Sequence, residues 1–177
     1  IQPSFAAQLK TYVEQGGTLL SDPFFGSFEE SFKMSYHVPG FGFDEVFGCR
    51  ELDMTACECV TLEGTAGRFA LRGNKQLELF RDVTADVLYS TSDGKPAILS
   101  NRYGKGRAVI SVVNLGLTYS NRTLIADDFS SADAANSSEG AKTVVMDLCR
   151  DAGVKPNICT VAGVKVSVLT RGNETLV

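Results

Sequence analysis

A helix, a Gly-Gly pair and an apolar strand follow one another near the start of the chain, and this order constrains the fold most. Ser4 is a predicted helix N-cap, because its hydroxyl can accept a hydrogen bond from the first free backbone amides. Gly16-Gly17 ends the predicted helix, and Thr18–Leu20 follows as an apolar, buried strand. The apolar positions at helical spacing are Phe5, Leu9, Tyr12 and Val13. This order is typical of a parallel α/β unit.

The next part of the chain predicts a long loop and several strands. Residues 21–42 are rich in Phe, Gly and Ser, and a loop of this length in a compact domain is usually functional. Residues 41–47 predict a short helix closed by Gly48. The predicted strands are residues 56–62, 86–91, 96–103 and 107–113, with weaker candidates at 69–71 and 77–80. Two predicted turns, residues 92–95 and 104–106, connect the later strands.

The last third predicts a polar loop, a helix and a hairpin. Residues 120–136 are polar, and a helix is predicted from Ser138 to Gly153. Residues 163–170 and 174–177 flank Gly172-Asn173, which predicts an antiparallel hairpin. The change of pattern places a domain boundary at 155–162, with an α/β domain at 1–155 and the start of a β-sandwich at 156–177. Because the chain opens on Ile1 and stops inside a strand pattern, we expect it to be part of a longer polypeptide.

The composition excludes several classes of partner. The chain has 17 basic and 21 acidic residues and no basic stripe, so neither nucleic acid nor an anionic membrane is an expected partner. No apolar run reaches the length of a membrane span, and a cytoplasmic location is expected. The five cysteines lack the even number and spacing of a disulfide framework, and we expect small buried thiols. The cysteines are Cys49, Cys57, Cys59, Cys149 and Cys159, and the two at 57 and 59 are expected to share one face of a strand.

Candidate chemistry is sparse. His37 is the only histidine, and no cysteine lies on a strand-to-helix elbow between glycines, so neither a structural zinc site nor a nucleophile with its base is predicted. Residues 104–107 join two predicted strands and therefore form a hairpin turn, not a phosphate loop. Adjacent carboxylates rarely converge across a sugar, so we expect solvated side chains at Glu29-Glu30, Asp44-Glu45 and Asp127-Asp128. No catalytic, cofactor-binding or metal-binding residue is predicted.

The ordered combination of motifs resembles the middle, trimerisation domain of family 42 β-galactosidases. The matching segments are residues 9–20, 25–30, 39–40, 43–48 and 101–110. The resemblance covers residues 1–153, and the final hairpin is similar to the start of the small β-sandwich domain of those enzymes. The chain departs from the pattern in lacking the first strand and helix of the sheet. The segment Phe24–Glu30 also differs from the family's usual serine-glycine form, so a role in rimming an active site is not carried over.

The resemblance implies a flavodoxin-like, glutamine-amidotransferase-like α/β fold that makes subunit contacts without catalysing a reaction. It also implies a homotrimer and an upstream TIM barrel that holds the catalytic glutamates of a β-galactosidase. A monomer would prefer to cover the apolar side chains of residues 24–47, so this stretch is the candidate interface. The candidate interface residues are Phe24, Phe25, Phe28, Phe32, Tyr36 and Phe41.

Two other interpretations remain open from the sequence. The first is an amidotransferase-like hydrolase or small-molecule binding domain that uses His37 with a nearby Ser or Cys. The second is a structural linker module between a catalytic domain and a β-sandwich, with no interface of its own.

Overall fold

The computed structural model describes residues 1–120, 131–154, 169–171 and 174–176. Its helices are α1 (Pro3–Glu14), α2 (Phe43–Phe47), α3 (Leu115–Ser120) and α4 (Ser131–Asp151). Its strands are β1 (Thr18–Ser21), β2 (Arg50–Gly64), β3 (Gly67–Arg81), β4 (Asp86–Thr91), β5 (Pro96–Tyr103), β6 (Gly106–Ser111), β7 (Leu169–Arg171) and β8 (Glu174–Leu176). In the described residues no helix is both long and apolar enough to cross a membrane.

Six strands form one curled sheet in the order β1-β6-β5-β4-β2-β3. Only β1 and β6 pair in parallel, and the other pairs of this sheet are antiparallel. The prediction of an α/β fold with flanking helices is confirmed. The observed sheet is mixed and mainly antiparallel, because short turns join β2 to β3, β4 to β5 and β5 to β6, and β4 pairs antiparallel with β2.

The sheet has a hydrophobic core on each face. One cluster includes Ile98 and Val109 and packs against Val144 and Leu148 of α4. The other includes Leu99 and packs against Val13 of α1 and the rings of α2. Neighbouring residues on a strand point to opposite faces, so Ile98 and Leu99 contribute to different clusters.

The start of the chain corrects three predictions. The helix begins at Pro3 with Gln2 at the N-cap, so Ser4 lies inside α1. Proline suits the first position of a helix, because the amide hydrogen that it lacks would have no acceptor within the helix there. The buried face of α1 runs through Ala6 and Val13, whereas the predicted stripe members Phe5 and Tyr12 are about half exposed. Leu20 is 41% exposed, because β1 is an edge strand, and the predicted buried strand is therefore wrong at that position.

The middle of the chain also differs from its prediction. Residues 56–62 belong to a 15-residue strand, and the two weak candidates at 69–71 and 77–80 belong to a single partner strand of equal length. A register shift falls between Cys57 and Cys59, and the first thiol is half-buried while the second is exposed. Leu52, Met54 and Ala56 alternate with Asp53 and Thr55, which is the period-two pattern of a strand, although all five residues are exposed. The sequence prediction therefore began the strand too late.

The later elements combine confirmed and corrected predictions. Both predicted turns connect antiparallel neighbours, β4 with β5 and β5 with β6. Helix α4 begins at Ser131, so the predicted polar loop is wrong over residues 131–136. Residues 121–130 and the predicted boundary at 155–162 lie outside the described residues. Strands β7 and β8 pair antiparallel around residues 172–173, as predicted for the hairpin.

Candidate interaction surface

The segment between β1 and α2, residues 22–42, is held in shape by its own hydrogen bonds, and we call it the Phe-rich loop. The Ser27 hydroxyl donates to the Phe24 carbonyl at 2.6 Å, and the Ser35 hydroxyl donates to the Gly26 carbonyl at 2.8 Å. A single antiparallel bridge joins Phe28 to Met34. Polar side chains that bond to nearby backbone groups stabilise turns in place of regular secondary structure. The loop is therefore an ordered surface feature.

Three phenylalanines of this loop have left-handed backbone conformations. The φ angles are 66° at Phe24, 58° at Phe32 and 56° at Phe41. Bulky residues rarely adopt positive φ, and each such residue costs of order 1–3 kcal/mol unless surrounding contacts enforce it. Such conformations cluster at functional sites, so their number in one loop marks it as a candidate site.

The aromatic residues of the loop divide into an inner and an outer group. Phe25 packs against Phe43 with ring centroids 4.6 Å apart, and Phe41 also packs on the α1–α2 side of the core. The outer group is strongly exposed and consists of three aromatic residues together with one methionine: Phe28 (58%), Phe32 (89%), Tyr36 (93%) and Met34 (64%). We call these four side chains the apolar patch. Large exposed apolar side chains that lie close together mark interaction sites, and the bridge between Phe28 and Met34 brings two of the four together.

The predicted interface set is thus only partly at the surface. Phe28, Phe32 and Tyr36 are exposed, whereas Phe24, Phe25 and Phe41 are half-buried. Sequence reasoning missed Met34, which the bridge to Phe28 brings into the patch. The turn residues around Ser31 were the available signal, since a tight turn brings the residues on its two sides together.

Asp22 joins the start of the loop to helix α3. Its Oδ1 accepts from the Leu115 amide at 2.9 Å, and its Oδ2 accepts from the Gly116 amide at 3.5 Å. Burial raises the pKa of this carboxyl, although the two backbone hydrogen bonds act in the opposite direction. The loop therefore leaves β1 in a direction fixed by residues more than 90 positions away in sequence.

A second anchor comes from strand β2. The Phe24 amide donates to Oε1 of Glu51 at 2.9 Å, and the Glu51 amide donates to the Val38 carbonyl at 2.6 Å. Glu78 on the neighbouring strand is 4% exposed, and its Oε2 is buried without a hydrogen-bond partner in the described part of the chain. Sequence reasoning found neither glutamate, because their burial depends on how β2 and β3 pair and on the elements that cover them.

The loop also lines a cavity of about 520 Å³ that contains His37. The Nδ1 atom of His37 is buried and has no hydrogen-bond partner among the described residues, and the Tyr36 ring packs edge-on against the imidazole with ring centroids 4.6 Å apart. Ser35, which lines the same cavity, donates its hydroxyl to the Gly26 carbonyl instead. In the described residues no Ser or Cys is hydrogen-bonded to His37, so the nucleophile–base pair of the amidotransferase interpretation is not formed there.

The remaining candidate groups are placed as follows. Glu29-Glu30 lies at the cavity wall, and Asp44 pairs with Arg50 at 3.0 Å. Asp127-Asp128 and Cys159 lie outside the described residues. Burial raises the pKa of the Cys49 thiol to about 12, with Glu51 and Asp44 adding to the effect, so this buried thiol is unreactive at neutral pH. Within the described ranges no group of three or more His, Cys, Asp or Glu side chains could hold a metal ion.

Comparisons with known proteins agree with this picture. The profile of one family, the β-galactosidase trimerisation domain, matches residues 1–127. The fold is similar to β-galactosidase from Bacillus circulans sp. alkalophilus (TM-score 0.74, 20% identity, 99% of this chain and 24% of that chain). It is also similar to a β-galactosidase from Rahnella sp. R3 (TM-score 0.67, 15% identity, 88% of this chain and 22% of that chain). A third similar structure is an exo-β-1,4-mannosidase from an Opitutaceae bacterium (TM-score 0.56, 14% identity, 81% of this chain and 23% of that chain). A search of curated proteins by sequence finds no significant match.

A mixed α/β sheet that carries a hydrogen-bonded loop with exposed apolar side chains is suited to contact with another surface. The family profile covers well over half of the chain, and the chain therefore belongs to the family of β-galactosidase trimerisation domains. The resemblance predicted from the sequence motifs is confirmed at this level. The chain spans about a quarter of the length of the solved structures to which it is similar.

Proposed function

We propose that this domain joins copies of a β-galactosidase-like glycoside hydrolase, with the apolar patch as the contact surface. The observation that carries the proposal is the exposure of Phe32 and Tyr36, at 89% and 93%, on a loop held by internal hydrogen bonds. A preordered loop loses little conformational entropy on association, so burial of its aromatic side chains contributes more fully to affinity. Large aromatic anchors of this kind dominate the binding energy of protein interfaces.

Membership of this family also supports proposals about the longer parent protein. The parent protein would carry an upstream TIM barrel with the catalytic glutamates, assemble as a trimer and reside in the cytoplasm. The antiparallel β7–β8 hairpin supports a second domain that begins near residue 156. A flavodoxin-like, amidotransferase-like sheet that is incomplete at its N-terminus is also a proposal, supported by α1 before β1 and by the parallel β1–β6 pair. A structure of the longer parent would test the TIM barrel, the trimer, the second domain and the fold of the sheet, and cell fractionation would test the cytoplasmic location.

The interface proposal is tested by sedimentation velocity on the longest natural polypeptide that contains this domain. We expect the wild type to sediment as a homo-oligomer and the Phe32→Ser/Tyr36→Ser variant to dissociate. Loss of one aromatic anchor costs about 2 kcal/mol, so association should weaken at least about 30-fold. The far-ultraviolet circular dichroism spectrum of the dissociated variant should match that of the wild type, because neither side chain belongs to the core.

Val87→Ser provides the matched control, since Val87 is a 46% exposed apolar residue on β4 outside the loop. This variant should retain the oligomer. A parent that is monomeric would refute the oligomerisation function itself. If the double substitution leaves the assembly of the parent unaffected, the oligomerisation function stands, but the assignment of the interface to this loop is refuted.

A further inference from the structure

The cavity beside the Phe-rich loop has a wall that is both aromatic and acidic. Its volume is about 520 Å³, and its lining includes Tyr36, Phe41 and the adjacent carboxylates Glu29 and Glu30. The two glutamates are exposed, and neither forms an ion pair with a described residue. Aromatic rings and carboxylates both attract cations, so this wall is suited to an ammonium or guanidinium group.

The basic groups of the same region leave the two glutamates without a counter-charge. Asp44, the third carboxylate of the wall, is paired with Arg50 at 3.0 Å. Lys10 packs over an aromatic ring of α2, with 5.4 Å between its ammonium and the ring centroid. Lys33 is exposed on the loop itself and forms no ion pair with a described carboxylate. A cation for the cavity must therefore come from another surface.

The end of the β5–β6 hairpin carries two cations without partners. Arg102 and Lys105 are exposed, and neither forms an ion pair with a described residue. Other exposed cations differ in this respect, since Arg68, Lys95 and Lys142 each pair with a carboxylate at 2.7–3.2 Å. The hairpin end is therefore the counterpart in charge of the acidic cavity wall.

The acidic cavity and the basic hairpin end lie at opposite ends of α1. Pro3, the first residue of the helix, lines the cavity, whereas the Lys105 amide donates to the Glu14 carbonyl at 2.9 Å. A helix of 12 residues is about 18 Å long. This length exceeds the reach of a single side chain, so the hairpin end cannot fill the cavity of its own copy.

The symmetry of a trimer makes this separation meaningful. Threefold symmetry requires heterologous contacts, in which two different surfaces of neighbouring copies meet. The chain belongs to a family of trimerisation domains, and each copy presents an acidic surface and a separate basic one. A self-complementary contact through the cavity alone would instead place like charges together, which is unfavourable.

We propose that the cavity of one copy receives Arg102 and Lys105 of the neighbouring copy. Tyr36 belongs to both the cavity wall and the apolar patch, so the ion pairs lie at the edge of the apolar contact. Interfaces commonly have this arrangement, with an apolar centre and a polar rim. The inference rests on the proposed function, because it names the surface that the Phe-rich loop meets.

Charge reversal tests the pairing, with sedimentation velocity on the longest natural polypeptide that contains this domain. Glu29→Lys/Glu30→Lys and Arg102→Glu/Lys105→Glu should each weaken association at least about tenfold, because each places like charges together. The variant that combines all four substitutions should recover the oligomer, since opposite charges then face each other again.

The matched control is Glu58→Lys/Glu63→Lys, which makes the same change in net charge on exposed residues of β2 and should retain the oligomer. Undiminished assembly in either reversed pair, or no recovery in the combined variant, would overturn the pairing. If a reversed variant does not fold, the neutral pairs Glu29→Gln/Glu30→Gln and Arg102→Gln/Lys105→Gln decide. Each should reduce the salt dependence of assembly, and an unchanged dependence would count against the pairing. A monomeric wild-type parent would refute the proposed function itself.

Discussion

At the scale of single residues, a few buried polar side chains join the layers of the domain. The Tyr89 hydroxyl on β4 donates to Oδ2 of Asp147 on α4 at 2.8 Å, and Tyr89 is 1% exposed. Burial raises the pKa of Tyr89 to about 12, and the hydrogen bond to Asp147 adds to this effect. The tyrosine therefore stays neutral and continues to donate throughout the physiological pH range.

Tyr89→Phe should lower the unfolding free energy by about 1.5–3 kcal/mol, because it removes a hydrogen bond to a charged acceptor and leaves the ring in place. Urea unfolding measures the change. Tyr103→Phe is the control, since Tyr103 packs beside the second core cluster and should contribute mainly through its ring. Equal losses in the two variants would contradict the role of the hydroxyl.

At the scale of elements, the end of α1 packs directly on the turn between β5 and β6. The Lys105 amide donates to the Glu14 carbonyl at 2.9 Å, and the Arg107 amide donates to the Gly17 carbonyl at 3.1 Å. A Cβ atom on Gly106 would lie 2.0 Å from the Val13 carbonyl oxygen and 2.3 Å from that of Gly17. The backbones are too close for any residue except glycine.

Gly106→Ala should destabilise the domain by about 3 kcal/mol, at the upper end of ordinary overpacking, because the clash is with rigid backbone. Thermal unfolding measures the change. Gly116→Ala is the control, because Gly116 lies in helix α3 and its new methyl group would meet only Oδ2 of Asp22, at an ordinary contact distance of 3.6 Å. That control should leave stability unchanged or raise it by up to about 1 kcal/mol.

At the scale of the whole molecule, buried carboxyls make stability depend on pH. The pKa values of Glu51 and Glu78 in the folded chain, about 8 and about 7, both lie above the ordinary value of 4.5. The folded state therefore binds more protons than the unfolded state between these limits, so the unfolding free energy falls as the pH rises. The contribution is complete below pH 4.5 and is lost by about pH 8.

We expect the unfolding free energy to drop by about 1–2 kcal/mol between pH 6 and pH 9, after allowance for partial exposure of Glu51. Glu78→Gln should flatten this dependence and be the more stable protein at alkaline pH. Urea unfolding across the pH series provides the measurement. An identical slope in wild type and Glu78→Gln would show that the buried carboxyl keeps an ordinary pKa.

The sequence alone was sufficient for features that local chemistry decides. Gly16-Gly17 ends α1, and the turns around Gly94 and Gly104 have the positive φ angles that favour glycine. The exposed character of Phe28, Phe32 and Tyr36 was predicted as a property of the whole loop, but the division into inner and outer rings was not. Local propensities describe the backbone near each residue and contain no information about which face another element will cover.

The opening helix, its glycine end and the motifs that place the chain among β-galactosidase trimerisation domains were determined by sequence, because each depends on residues close together along the chain. The tertiary structure alone decided the pairing of β2 with β3, the exposure of Phe5 and Leu20, and the burial of Glu78. Each of these depends on strand register and on burial by distant elements. A one-residue change of register would turn the side chain of Glu78 to the other face of the sheet, and no local pattern specifies that register.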